Sequence, residues 1–245
     1  TPVTFDNLAS GHRHAVRWGP LVEGDILDRT ALRAAIETWR PDAVIHFAAL
    51  ALVGESVAHP SRYYRVNVLG TLNLVEELCA NGVKRIVFSS SCATYGRPDA
   101  LPITEATPQR PINPYGRTKF IAEGLLDDYG SAYDLRSVAL RDFNACGADR
   151  DGEIGEEHDP ETHLIPRALM AAFGDIEALD VYGDDYDTPD GTCIRDYVHV
   201  EDLAEGHVSA LRHLLAGGGS LKLDMGAGQG ASVRGIGAAG ERVTG

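Results

Sequence analysis

The chain has 245 residues, 44% of them hydrophobic and 24% charged, which suits a soluble α/β-sized domain with its own core. With 36 acidic against 22 basic residues, the formal net charge is -14. That balance excludes a basic nucleic-acid-binding surface and adsorption to an anionic membrane. Strand candidates are Val3–Phe5, Ala43–Ala48, Ile86–Ser90 and Arg136–Arg141, apolar on both faces as covered strands are. Helical patterns fall between them: Thr30–Trp39, stopped by Arg40-Pro41; Pro60–Cys79; and Pro114–Tyr129, opened by Asn113 as N-cap with Pro114 in the first turn. Strand, crossover helix, strand at this rhythm predicts a doubly wound parallel sheet.

After residue 144 the rhythm breaks. Two acidic connections follow: residues 149–163 hold seven acidic residues and one Arg, and residues 184–190 hold four more. Helices are expected near His163–Phe173 and Glu201–Leu215. A last one from Ser232 should be weak, because it carries Gly235, Gly237 and Gly240. The predicted domains are residues 1–144 and a smaller, looser region 145–245 with segments returning to the first. Cys79, Cys92, Cys146 and Cys193 form no Cys-x-x-Cys pair and are read as small buried hydrophobes in a reducing, cytoplasmic setting. The longest apolar run, Ala43–Gly54, is too short to cross a membrane, and TPVTFDN does not read as a signal peptide. His12 with His14, and Glu156-Glu157-His158-Asp159, lack the spacing of a zinc or calcium loop, so no metal site is expected.

Chemistry concentrates in NPYGRTK. Tyr115 and Lys119, four residues apart, share a helix face. A phenol titrates near 10, and an ammonium on the same face is expected to lower that. Ile121 and Leu125 take a different face and can anchor the helix to the sheet. The spacing alone fits an ordinary amphipathic helix equally well. Ser91, at the end of the Ile86–Ser90 strand run, changes the balance, since open α/β sheets bind ligands beyond the carboxyl ends of their strands. Strand-end Ser with helix Tyr and Lys resembles the short-chain dehydrogenase/reductases.

Longer segments sharpen the resemblance. FDNLASGHR, VIHFAALALVGES, FSSSCATYG, RDFNACGA, HLIPRAL and above all GDDYDTPDGTCIRDYVHVEDLAEGH resemble the UDP-glucose 4-epimerase family within the extended branch of those enzymes. This implies a Rossmann-type α/β fold, NAD as cofactor, a UDP-sugar substrate, a homodimer built on helices Pro60–Cys79 and Pro114–Tyr129, and no nucleic-acid or membrane partner. The implied activity is interconversion of UDP-glucose and UDP-galactose by transient oxidation at C4. The alternatives are another UDP-sugar 4-epimerase (pentose or N-acetylhexosamine) or an inactive, truncated sugar-nucleotide-binding remnant. Ser91, Tyr115 and Lys119 are the implied catalytic residues. Cofactor residues carried over are Asp6, Asn7, Asp25, Ile26, Phe47, Ala48, Ala49, Asn67 and Phe143, beside Lys119. Substrate residues are Asn144, Leu164, Tyr182 and Arg195, beside Ser91 and Tyr115, with His163 a further candidate. Asp6 would accept from a ribose and repel a 2′-phosphate, and the fork of Arg195 suits a diphosphate or a pair with Asp196.

The chain also departs from the family. It starts at what should be the second strand, so the first βα unit and its Gly-rich turn are expected to be missing, and the C-terminal end as well. Asp142 replaces the Tyr of the family's R-Y-F-N, and Asp224 an Asn. Cys92 and Ala93 follow Ser91 where sugar-nucleotide dehydratases carry an acidic pair, so no dehydration is expected.

Overall fold

The computed structural model describes residues 1–244. The chain forms two compact units, one of residues 1–142 with 204–225, the other of residues 143–203 with 226 onward.

In the first unit, β1 (Thr4–Asp6) pairs in parallel with β2 (Leu21–Glu23). Helix α1 (Arg29–Trp39) opens on Asp28, whose carboxylate accepts from the Thr30 and Ala31 amides, and closes at Arg40 in the left-handed region ahead of Pro41. After β3 (Val44–His46) come two short helices, α2 (Val53–Ala58) and α3 (Pro60–Tyr63). The helix expected over 60–79 is therefore interrupted: a π-helical turn occupies Tyr64–Leu69 before α4 (Gly70–Ala80) resumes. A Cβ on Gly70 would sit 2.5 Å from Ile26, so glycine is what lets α4 lie against the loop after β2.

Strand β4 (Arg85–Ser91), helix α5 (Pro114–Tyr133) and strand β5 (Arg136–Asp142) follow. Later in sequence, β8 (Leu221–Met225) joins a four-stranded parallel sheet of order β3-β4-β5-β8. Strand period decides which face each residue serves. Ile86, Phe88 and Ala139 enter a core under α1, α4 and α5. Val87, Val138 and Leu140 enter a second core against Ala210 and Leu214. Two cores on one parallel sheet are what a doubly wound fold requires. Among the described residues, β1 and β2 share no ladder with this sheet.

Helix α5 corrects one expectation. Its buried positions are Gly116, Thr118, Lys119, Ala122, Glu123 and Leu126, so the Lys119 face meets the sheet; Ile121 is exposed, while Leu125 packs against the core as expected. The cause is a stripe at i, i+3, i+4 and i+7 that runs through the polar Lys119 and Glu123. The four cysteines are free and half-buried rather than buried.

In the second unit, β6 (Asn144–Cys146) pairs with β7 (Ile194–His199), and β9 (Gly230–Ser232) pairs antiparallel to β7. None of these strands was expected, nor were β2 and β8. Helix α6 (Leu164–Phe173) packs against α8 (Val233–Thr244), which is continuous through its three glycines. Helix α7 (Val200–Leu215) carries the chain back to the first unit. The 184–190 connection is anchored at Asp190, whose carboxylate accepts from the Thr192 amide and hydroxyl and from the Ser232 hydroxyl.

Candidate active site

Ser91 ends β4, and Tyr115 and Lys119 lie in the first turns of α5. The start of α5 is set by Asn113, whose side chain accepts from the Gly116 amide at 2.8 Å. A Cβ on Gly116 would lie 2.4 Å from the Ala93 carbonyl, so this glycine lets the helix press onto the turn that follows Ser91. The three residues thereby converge at the carboxyl end of the central strands.

Ser91 is buried, and its hydroxyl accepts from the Ala93 amide at 3.2 Å. Lys119 is also buried. Its ammonium donates to the Ser89 carbonyl at 2.8 Å, stands 5.0 Å from the Phe88 ring centre and 5.9 Å from that of Tyr115. Burial pulls Lys119 down to about 8. The Tyr115 phenol moves the opposite way from the expectation: burial pushes it up to about 12, with Cys92 and Asp142 adding to the rise and Ser91 opposing it. Desolvation of the phenol prevails because the Lys119 ammonium is spent on the Ser89 carbonyl.

Asp142 is the third ionisable group here. Its Oδ2 accepts from the Ser89 hydroxyl at 2.8 Å and lies 3.9 Å from His207 Nε2 on α7. Oδ1 is buried, with no hydrogen-bond partner among the described residues. Burial raises its pKa, against the pull of His207, Ser89 and Lys119. His46, at the end of β3, bonds Thr71 Oγ1 at 2.9 Å and is held neutral by burial and by Lys119, down to about 3.

One turn beyond Lys119, Glu123 receives a bidentate pair from Arg141 (3.1 and 2.7 Å), plus Ser90 Oγ at 2.6 Å and Gln109 at 3.2 Å. Arg141 also donates to the Tyr95 hydroxyl at 2.7 Å, which donates to Asp224 at 2.7 Å. This buried chain ties α5 to β4, β5 and β8. A stripe of Tyr115, Lys119 and Glu123 at four-residue spacing was its available sequence signal.

The expected cofactor residues divide into three groups. Asp6, Asn7 and Asp25 lie together at the carboxyl ends of β1 and β2: Asn7 donates to Asp25 at 2.9 Å, and Asp6 accepts from the Leu8 amide at 2.6 Å. Phe47, Ala48 and Ala49 follow β3; the Phe47 ring is exposed and rests on His207 at 4.6 Å between centres, so it is not core packing. Two lie deeper. Ile26 buries its side chain in the core against Gly70. Asn67 is 2% exposed and spends its amide on the Leu50 backbone (2.8 and 2.9 Å) and Thr118 (3.1 Å), which makes it a clamp between the loop after β3 and α5.

In the second unit, Phe143 precedes β6, and Asn144 donates to the Asp196 carbonyl at 3.0 Å. Arg195 is exposed, and its guanidinium donates to the Ile194 carbonyl at 2.9 Å. Asp196 is not its partner, because that carboxylate caps the Ala227 and Gly228 amides at 2.9 Å each. Tyr182 is 86% exposed. His163 is the N-cap residue of α6, and Leu164 begins that helix.

A parallel, doubly wound sheet with Ser, Tyr and Lys at its carboxyl edge defines a class. Residues 2–224 match the model of the NAD dependent epimerase/dehydratase family, and the chain belongs to that family. It is 54% identical over 233 residues to UDP-glucose 4-epimerase of Rhizobium meliloti (strain 1021), covering 95% of this chain and 71% of that protein. It superposes on the crystal structure of UDP-glucose 4-epimerase from Brucella ovis in complex with NAD with a TM-score of 0.94 at 61% identity, over 96% of this chain and 73% of that one. For the Bifidobacterium longum UDP-glucose 4-epimerase with NAD+ and UDP, the TM-score is 0.94 at 38% identity, over 99% and 75% of the respective chains. Among the described residues, no helix is long and apolar enough to cross a membrane.

Proposed function

We propose that this chain supplies the catalytic residues of an NAD-dependent 4-epimerase that interconverts UDP-glucose and UDP-galactose. The observation that carries the reading is the convergence of Ser91, Tyr115 and Lys119 at the end of β4, in a chain so similar to UDP-glucose 4-epimerases. Asp6 and Asp25 at neighbouring strand ends form an acceptor-rich, negative patch. It fits the hydroxyls of an adenosine ribose and disfavours a 2′-phosphate, which supports NAD. NAD, when bound, supplies the acceptor and then the donor of the C4 hydride.

The residues of this chain handle the proton and the orientation. The Tyr115 oxygen takes the proton of the sugar 4-hydroxyl and later returns it, and Ser91 holds the same oxygen. Lys119 contributes a positive charge, fixed by the Ser89 carbonyl, toward the cofactor ribose. With its pKa near 12 the phenol is almost wholly protonated at neutral pH, so positive charge brought into the site on binding must lower that value before Tyr115 works as a base. Asn144, Leu164, Tyr182 and Arg195 are proposed to meet the sugar nucleotide, with the exposed Arg195 fork for the diphosphate. Cys92 and Ala93 supply no acid beside Ser91, so a 4-keto-6-deoxy product should not form. A homodimer in the cytoplasm completes the reading. Exposed Phe120 and Ile121 on α5 support an association surface on that helix.

The test is conversion of UDP-galactose to UDP-glucose by the full-length protein with NAD. Tyr115→Phe should lower kcat at least 100-fold. Full activity in that variant, or accumulation of a 4-keto-6-deoxy sugar, would refute the reading. Light scattering at micromolar concentration tests the dimer.

A further inference from the structure

A second group of chemistry-bearing side chains lies in the acidic connection between β6 and α6, where the sequence reads Glu156-Glu157-His158-Asp159-Pro160-Glu161-Thr162-His163. As a linear motif it matches no known metal loop. Folding changes that. Glu156, His158, Glu161 and His163 each bring one ligand atom to within 4.8 Å of all the others. His158 Nδ1 stands 3.2 Å from Glu156 Oε1 and 3.5 Å from Glu161 Oε2. His163 Nδ1 hydrogen-bonds Glu156 Oε1 and lies 3.9 Å from Glu161 Oε1. The two imidazoles meet edge to face at 5.1 Å.

The two separations about His158 match a recognisable coordination shell, while the direct His163–Glu156 hydrogen bond is one that an ion would replace. Four ligands placed tetrahedrally about 2.0–2.2 Å from a zinc ion stand roughly 3.3–3.6 Å apart. The donor set, two imidazole nitrogens and two carboxylate oxygens, is one that zinc and its neighbours in the first transition row accept. Two carboxylates turned to one point repel each other, and a cation held between them would offset that charge. The carboxylates are also recessed: Glu161 is 10% and Glu156 20% exposed at the side chain, while the two imidazoles are about half exposed. Glu161 Oε1 is fixed from behind by the Thr162 and His163 amides at 2.7 Å each, the support that metal-ligating carboxylates need. A solvated acidic loop would spread its carboxylates outward instead.

We propose that Glu156, His158, Glu161 and His163 form a site for one divalent transition-metal ion, zinc by its ligand set. The ion would lock the 147–163 connection at the start of α6. His163 then serves as a ligand in this cluster rather than as a direct contact of the sugar nucleotide. The proposal concerns binding, so its test reads binding and not turnover.

The experiment is calorimetric titration of ZnCl2 into the chelator-stripped full-length protein at pH 7.5, beside His158→Ala/His163→Ala and Glu156→Gln/Glu161→Gln. One zinc per chain at micromolar or tighter Kd is expected, weakened at least 100-fold in both double variants, with zinc raising Tm only in the parent. The substitutions lie in an exposed connection, and circular dichroism of each zinc-free variant checks that it folds. No binding below 100 μM zinc would overturn the proposal. So would equal binding by the His158→Ala/His163→Ala variant, which would place the metal on the cysteines or elsewhere.

Discussion

Lys119 donates its hydrogen bond to the Ser89 carbonyl at 2.8 Å, two residues before Ser91 on the same strand. The ammonium 5.9 Å from the Tyr115 ring centre is therefore anchored on the main chain of β4, and the strand's register fixes that distance. Holding a charge in that place has a cost, and the cost is measurable.

Burial takes Lys119 down to about 8 from its ordinary 10.5. Between those values the unfolded chain binds more protons than the folded one, so stability rises with pH through that window. The parent should gain about 1.5 kcal/mol relative to Lys119→Met between pH 8 and pH 9.5. Denaturant melts of both proteins across that range check it. A constant difference would mean that the lysine is not desolvated.

Asp142 adds negative charge beside Tyr115 and Lys119 and raises the pKa of both. Asp142→Asn removes that charge. If Tyr115 is the base, activity rises with pH as the phenol ionises, so the acid limb of the kcat profile should move to lower pH by about 0.5–1 unit. Tyr115→Phe is the control that separates the two claims. If it is inactive while the Asp142→Asn profile does not move, Tyr115 stands as the base and Asp142 has no electrostatic part.

His46 is buried neutral, with its pKa depressed to about 3. The unfolded chain takes up a proton below about 6.5, so this histidine removes stability as the pH falls. The loss should reach about 2.5 kcal/mol by pH 4.5. His46→Gln, which keeps a polar group toward Thr71, should have a flatter stability profile between pH 4.5 and 7. Parallel profiles would contradict the burial argument.

Glu123 and Arg141 are 1% and 3% exposed and bonded at both carboxylate oxygens. Glu123→Gln leaves an uncompensated guanidinium and should cost about 3–5 kcal/mol. Glu123→Gln/Arg141→Met should recover at least half of that. Urea melts of the two single variants and the double variant close the cycle. The Glu123→Gln protein should also lose kcat more than KM, because Lys119 lies one turn away on the same helix.

The sheet's inner strands, the end of α1 and the start of α5 are local in origin, and so they were legible. Asn113, Pro41 and Pro114 act within one turn of themselves, and β4 and β5 are apolar on both faces because helices cover both. The Ser91, Tyr115 and Lys119 pattern was legible for the same reason: helix spacing and a strand end are one-dimensional facts. Strand β8 was not, because Leu221, Leu223 and Met225 alternate with Lys222 and Asp224 and become a strand only by pairing with β5. Nor could spacing say which group Lys119 would bond. A shared helix face implied a lowered phenol, while the packed structure gives the ammonium to a strand carbonyl, buries the phenol, and sets Asp142 against both. Hydrogen-bond acceptors, desolvation and the meeting of Glu156 with His163 depend on distances between segments. Those distances exist only once the chain has packed.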